Sequence, residues 1–168
     1  MTILGDVRVR TVTDDDAAAI ARIYNHYVTD TIVTFEEEPV TGDEMLARIH
    51  DVESVSLPWL VAELNGDVVG YAYAGKWKAR RGYRIAVEVT VYLDSASGGK
   101  GIGSALYFQL LTELKSNGIH TAMGGIALPN DASIKLHEKF GFKKVAHFKE
   151  NGIKFGELID VAYWQLML

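Results

Sequence analysis

The run from Val87 to Lys115 constrains this chain most, because its hydrophobic period changes across a glycine-rich joint. Val87-Glu88-Val89-Thr90-Val91-Tyr92 alternates apolar and polar residues. Side chains alternate across a strand, so the three valines share one face and Glu88, Thr90 and Tyr92 share the other. From Ser104 to Lys115 the residues Leu106, Leu110, Leu111 and Leu114 follow a helical period instead. Between the two lies Gly98-Gly99-Lys100-Gly101-Ile102-Gly103-Ser104. Glycines at a strand-to-helix junction leave backbone N–H groups free to point at an anion, and the helix dipole adds to the attraction. Two common phosphate loops fail here. A Walker loop needs Ser or Thr after Gly-Lys, and Lys100 is followed by Gly101; G-x-G-x-x-G counted from Gly101 needs a small residue where Leu106 stands. The segment is therefore a phosphate loop of another kind or a flexible turn, and a nucleotide-binding protein of either type is disfavoured.

The flanking sequence supplies the other layers. Val7 to Val12 reads as a first strand, and Thr13 followed by three aspartates opens a helix carrying Ile20, Ile23, Tyr24 and Tyr27 on one face. Thr41 with Glu44 has capping-box spacing and opens a second helix towards His50. Trp59 to Leu64 and Val68 to Tyr73 flank Asn65-Gly66, a pair suited to a tight hairpin turn. Arg84 to Leu93 is a third extended run of this group. Ile119 to Leu128 predicts a strand, Ala132 to Phe140 a helix, 143–148 a strand, Asn151-Gly152 a turn, and Leu158 to Leu168 a closing strand. The order predicts a mixed α/β protein of about seven strands and about four helices, antiparallel first and strand-helix-strand later. At 168 residues the expectation is one domain, 1–168.

Composition removes several function classes. The chain has no cysteine, which excludes thiolate nucleophiles, disulfides and cysteine-held metals. Its five histidines show no close ligand pairing, so no metal site is expected. A net charge of −5 argues against broad nucleic-acid binding. No apolar run approaches the ~20 residues that span a bilayer, and Asp6, Arg8 and Arg10 interrupt any signal-peptide pattern, so a cytoplasmic location is expected.

Two residues stand out chemically. A carboxylate amid the apolar strand is costly unless it is solvated, paired or used. Glu88 fits either a wet edge strand or a cleft, where burial raises its pKa towards that of a useful base. In Asn130-Asp131-Ala132-Ser133-Ile134-Lys135-Leu136-His137, Asn130 occupies a capping position, and Ser133 and His137 share a helix face. His137 taken alone reads more readily as a structural histidine than as a catalyst.

Together these strings resemble the GNAT N-acetyltransferases, and within them the phosphinothricin and methionine sulfoximine acetyltransferase group. The resemblance is carried by Ile23-Tyr24-Asn25-His26-Tyr27, Thr34-Phe35-Glu36, Val87 to Tyr92 and Gly99 to Leu106. Leu128-Pro129-Asn130, Leu136-His137-Glu138 and Asp160-Val161-Ala162-Tyr163-Trp164-Gln165 complete it, so it runs from about Val7 to Leu168. It implies a sheet splayed beside the Glu88 strand, with acetyl-CoA as co-substrate in the gap. By that resemblance Val89, Thr90 and Val91 would hold the pantetheine arm and thioester. Gly98, Gly99, Lys100, Gly101, Ile102, Gly103 and Ser104 would cradle the pyrophosphate, and Asn130 and Ser133 would contact the second arm. Glu88 would be the base through a water, and His137, standing where many members have a tyrosine, the acid or a second base. One departure is Gly98, where the superfamily usually has Gln or Arg, which puts one side-chain phosphate contact in question.

For the acceptor, the basic run Lys76 to Arg84 is either a solvated loop or a clamp for a polar anionic tail. The resemblance favours the clamp, with Trp77, Lys78, Arg80 and Tyr83 as acceptor-site candidates and Phe35 and Tyr92 as walls. The expected activity is acetylation of phosphinothricin, methionine sulfoximine or methionine sulfone, a detoxifying resistance function. Alternatives are a peptide or protein amine acetyltransferase and a non-catalytic acyl-CoA sensor; a sensor needs neither Glu88 nor His137. Family habit implies a homodimer, with Tyr163 and Trp164 as contact or core.

Overall fold

The computed structural model describes residues 2–4 and 6–168. In chain order the elements are β1 (Thr2–Leu4), β2 (Val7–Thr11), α1 (Ala17–Asp30), α2 (Gly42–Ser54), β3 (Trp59–Leu64) and β4 (Asp67–Lys76). There follow β5 (Ala86–Leu93), α3 (Ile102–Ser116), β6 (Thr121–Ala127), α4 (Asp131–Lys139), β7 (Lys143–Lys154) and β8 (Glu157–Met167). The described strands form one sheet of eight in the order β1-β2-β3-β4-β5-β6-β8-β7. The α/β class, four helices and mixed sheet follow the sequence expectation, and β1 adds one short strand to it. Among the described residues no helix is long and apolar enough to cross a membrane.

Local chemistry explains the joints. Asn65 and Gly66 take φ of 54° and 89°, the positive pair that a two-residue hairpin needs. Thr41 accepts from the Glu44 amide at 3.1 Å while the Glu44 carboxylate accepts from the Thr41 amide at 2.6 Å, closing the capping box of α2. The second expected turn is displaced. β7 runs through Asn151-Gly152, and the chain reverses instead at Phe155 and Gly156, with φ of 52° and 75°. The register of β7 on β8 shifts between Phe148 and Gly152, and Asp160 accepts from the Glu150 amide at 2.8 Å there. Asn-Gly thus marks an irregularity within a long hairpin rather than its end.

Helices cover both faces. Val87, Val89, Leu60 and Ala122 pack against Ile102, Leu106, Tyr107 and Leu110 of α3. On the other face Trp59, Val61 and Tyr71 pack against Ile20, Tyr24 and Val28 of α1 and Met45 and Ile49 of α2. β5 pairs antiparallel with β4 as far as Leu93 opposite Gly70. With β6 it pairs in parallel only from Ala86 to Glu88, whereas β6 pairs with β8 along its whole length. Beyond Glu88 the two strands therefore diverge, and the sheet opens.

Candidate active site

The opening leaves the β6-facing edge of β5 without a strand partner beyond Glu88. Unpaired backbone groups inside a protein need a partner, and an extended chain laid along that edge would supply one. The gap is a cleft of about 240 Å³ that passes through the sheet. Glu88, Val89, Thr90, Val91 and Tyr92 form one wall, and Gly125, Ile126 and Ala127 of β6 face them. Thr34 and Phe35, from the α1–α2 connection, line it too, as do Tyr107 of α3 and His137 of α4, both buried.

The cleft continues along β5 past Leu93, Asp94 and Ser95 to Gly98, bordered by Asn130, Ala132, Ser133 and Leu136 of α4. It leads to the glycine loop and the start of α3. Gly99 and Gly101 have φ of 75° and 77°, and Gly101 caps the helix in the left-handed region. Ile102 is fully buried and anchors the loop to the core. Asn130 caps α4 by accepting from the Ser133 amide at 3.1 Å. An open backbone edge leading to free amides at a helix N-terminus suits a pantetheine arm followed by a pyrophosphate.

Glu88 faces the middle of the cleft. Burial pushes its carboxyl above the usual range, and the charge of Lys78 offsets part of that rise. His137 is different. It is 3 % exposed, its Nδ1 lies 2.7 Å from the Ser133 carbonyl, and its Nε2 lies 2.9 Å from the Tyr107 hydroxyl. A carbonyl only accepts, so Nδ1 carries a proton and, in the neutral ring, Nε2 accepts from Tyr107. Burial pulls the imidazole pKa down against the opposing bond to Ser133, which favours that neutral ring. Burial raises the Tyr107 phenol, and the Glu88 charge adds to the rise. Gly124 makes the arrangement fit, because a Cβ there would overlap the imidazole.

The acceptor-side residues divide. Phe35 and Tyr92 line the cleft. Trp77 sits edge-on to Tyr163, itself a lining residue, with ring centroids 5.5 Å apart, and Lys78 Nζ lies 5.1 Å from the Trp77 ring. Lys78, Arg80 and Tyr83 line a separate hollow of about 700 Å³ with Ser56, Leu57 and Asn117. Arg80 and Tyr83 do not border the Glu88 cleft; Lys78 reaches towards it through charge.

Sequence reading missed Tyr107, because its helical phase sits within the leucine stripe of α3 and reads as core. It also missed Lys139, whose Nζ donates to Ser104 Oγ at 2.9 Å beside the glycine loop. Its one signal is a cation at the end of α4, which the sequence does not tie to α3.

The chain is similar to known proteins in sequence and fold. Residues 9–163 match the family model described as acetyltransferase (GNAT) domain. The chain is 42% identical over 159 residues to phosphinothricin N-acetyltransferase of Streptomyces viridochromogenes, covering 95% of this chain and 86% of that protein. It is 40% identical over 153 residues to the L-methionine sulfoximine/L-methionine sulfone acetyltransferase of Salmonella typhimurium, covering 91% and 90%. A solved Salmonella typhimurium acetyltransferase with its cofactor acetyl-CoA superposes with a TM-score of 0.94 at 38% identity, covering 98% of this chain and 95% of that one.

Proposed function

The chain belongs to the GNAT acetyltransferase family, and from that premise we propose how its cleft acetylates the amino group of a small amino acid of the phosphinothricin, methionine sulfoximine or methionine sulfone type. It is an acetyl-CoA-dependent N-acetyltransferase. The observation that carries the mechanism is the meeting, in one cleft through the sheet, of the free β5 edge, Glu88 and the Tyr107–His137 pair.

Acetyl-CoA supplies a thioester, whose carbonyl carbon takes the lone pair of the amine and whose sulfur leaves. The β6-facing edge of Val89 to Val91 would hold the arm of that co-substrate, and the amides from Gly98 to Ser104 its pyrophosphate. The acceptor amine enters protonated, because an α-amino group keeps its proton up to a pH of about 8. Glu88, raised by burial and without a side-chain hydrogen bond among the described residues, would take that proton through a water. The one Tyr107 O–H donates to His137 Nε2, which Ser133 holds in the accepting tautomer, and would turn from that nitrogen to the departing sulfur as negative charge develops there. Phe35 and Tyr92 wall the acceptor's side chain, and Lys78 beside Trp77 offers the nearest cation for an anionic tail. Arg80 and Tyr83, which line the separate hollow, have no part in this acceptor site.

The proposal extends to assembly and place. Phe148, Ile153, Phe155 and Leu158 of the β7–β8 hairpin are exposed apolar side chains, which suits a homodimer. Trp164 is 2 % exposed and belongs to the core, while Tyr163 lines the cleft. A cytoplasmic enzyme meets acetyl-CoA where it is made, and removal of glutamate-like inhibitors is the resistance role this chemistry would serve.

The test is thiol release from acetyl-CoA with phosphinothricin, methionine sulfoximine, methionine sulfone, glutamate, a polyamine and a peptide. Turnover of the first three supports the acceptor class. Turnover of the peptide or polyamine alone contradicts it.

A further inference from the structure

Lys154 closes β7, the edge strand of the sheet, yet it is 1 % exposed. Lysine is among the residues least often buried, and a buried ammonium needs fixed acceptors. Its Nζ donates to the Thr34 carbonyl at 2.7 Å and to the Glu36 carbonyl at 2.9 Å. Those two carbonyls bracket Phe35, so the ammonium holds the backbone on either side of one residue of the cleft wall. Gly152 lies two residues earlier and shares that face of the strand. The Phe35 ring rests on it so closely that a Cβ at Gly152 would overlap the ring. On the far side of the wall, the Thr34 and Tyr24 hydroxyls are 2.8 Å apart.

We infer that Lys154 is a positioning residue for the acceptor. It fixes the height of the Thr34–Phe35–Glu36 wall over Glu88, and with it the shape of the amino acid that the cleft admits. The inference rests on the reading of this cleft as the acceptor site. The strand supplies two contacts of different kinds. Lys154 holds the wall's backbone through charge-assisted hydrogen bonds, and Gly152 leaves room for its ring. Neither residue is among those that line the cleft or its continuation to the glycine loop. Loss of the clamp is therefore expected to act on the acceptor more than on the co-substrate.

The experiment compares wild type with Lys154→Met, which keeps the length of the side chain and removes its donors, and with Gly152→Ala. The KM for methionine sulfone and for acetyl-CoA is measured, together with amide hydrogen exchange across residues 33–38. In Lys154→Met the acceptor KM is expected to rise roughly tenfold and the wall amides to exchange roughly tenfold faster, with the acetyl-CoA KM and α3 exchange unchanged. Gly152→Ala, which keeps the ammonium and displaces the ring, is expected to raise the acceptor KM while the wall amides stay protected. Wild-type exchange in Lys154→Met, or equal rises in both KM values, overturns the inference. If Lys154→Met does not fold, an unchanged acceptor KM in Gly152→Ala overturns it. Should the wild type turn over no amino acid, the acceptor reading fails, and the exchange comparison still decides whether Lys154 holds the wall.

Discussion

The two walls of the cleft each carry a titratable residue, and the two are held in opposite ways. On the β5 wall, Glu88 sits half-buried with no side-chain hydrogen bond to its carboxylate among the described residues; burial and the distant charge of Lys78 set its proton affinity. On the opposite wall, both nitrogens of His137 are engaged, one by the Ser133 carbonyl and one by the Tyr107 hydroxyl. A group with a free lone pair and a raised pKa is placed to take up and release a proton. A ring with fixed partners and a lowered pKa is placed to orient its neighbour. The contrast is the ground for proposing Glu88 as the base and His137 as the support of Tyr107. The leaving group fits this division. A thiol has a pKa of about 8.5, so a departing thiolate needs little help, whereas an ammonium cannot attack until it loses its proton.

Removing the base is the sharpest way to break the comparison. Glu88→Gln keeps the shape of the wall and is expected to lower kcat/KM by roughly 10²- to 10⁴-fold, with acetyl-CoA binding retained. Steady-state rates and a cofactor titration on the same preparation check this.

On the other wall the effects are smaller and coupled. Tyr107→Phe is expected to lower kcat by about tenfold, the share of a hydrogen bond to a good leaving group. Because His137 works through Tyr107, Tyr107→Phe/His137→Ala is expected to lose no more than the worse single variant. Multiplying losses in that cycle would make His137 an independent catalyst.

How far the sequence discloses this arrangement differs between the walls. The alternation of Val87 to Tyr92 discloses Glu88, since a carboxylate in a strand of valines stands out at a period of two. The order of elements along the chain and the glycine loop are disclosed by the same local periods. Tyr107 is hidden, because a tyrosine within the leucine stripe of α3 reads as core until α4 brings His137 to it from 30 residues away. Phe35 enters as a wall through the resemblance, but the clamp on it is hidden, as Lys154 reaches the carbonyls beside it across 118 to 120 positions. Asn151-Gly152 misleads because its glycine serves contact with Phe35 rather than a turn. Arg80 and Tyr83 show the limit of composition: a basic run signals an anion, and only the fold says which hollow it lines.

Gly124→Ala gives the smallest expected effect and sharpens the contrast from the structural side. The added methyl would overlap the His137 ring, so the protein is expected to lose about 1–3 kcal/mol of stability, read as a lowered urea midpoint. The same methyl on a wall without a fixed ring would cost less.

The most direct measurement is the pH dependence of kcat/KM for methionine sulfone in wild type, Glu88→Gln and His137→Ala. Glu88 acts as a base only when ionised, and its pKa is raised, so activity is expected to fall as pH drops through that raised value. That acid limb is expected in wild type and in His137→Ala, whereas the residual activity of Glu88→Gln is expected to follow only the acceptor's own amine, which loses its proton at a pH of about 8. A wild-type acid limb that survives Glu88→Gln unshifted and disappears in His137→Ala would transfer the base to the other wall and contradict the assignment.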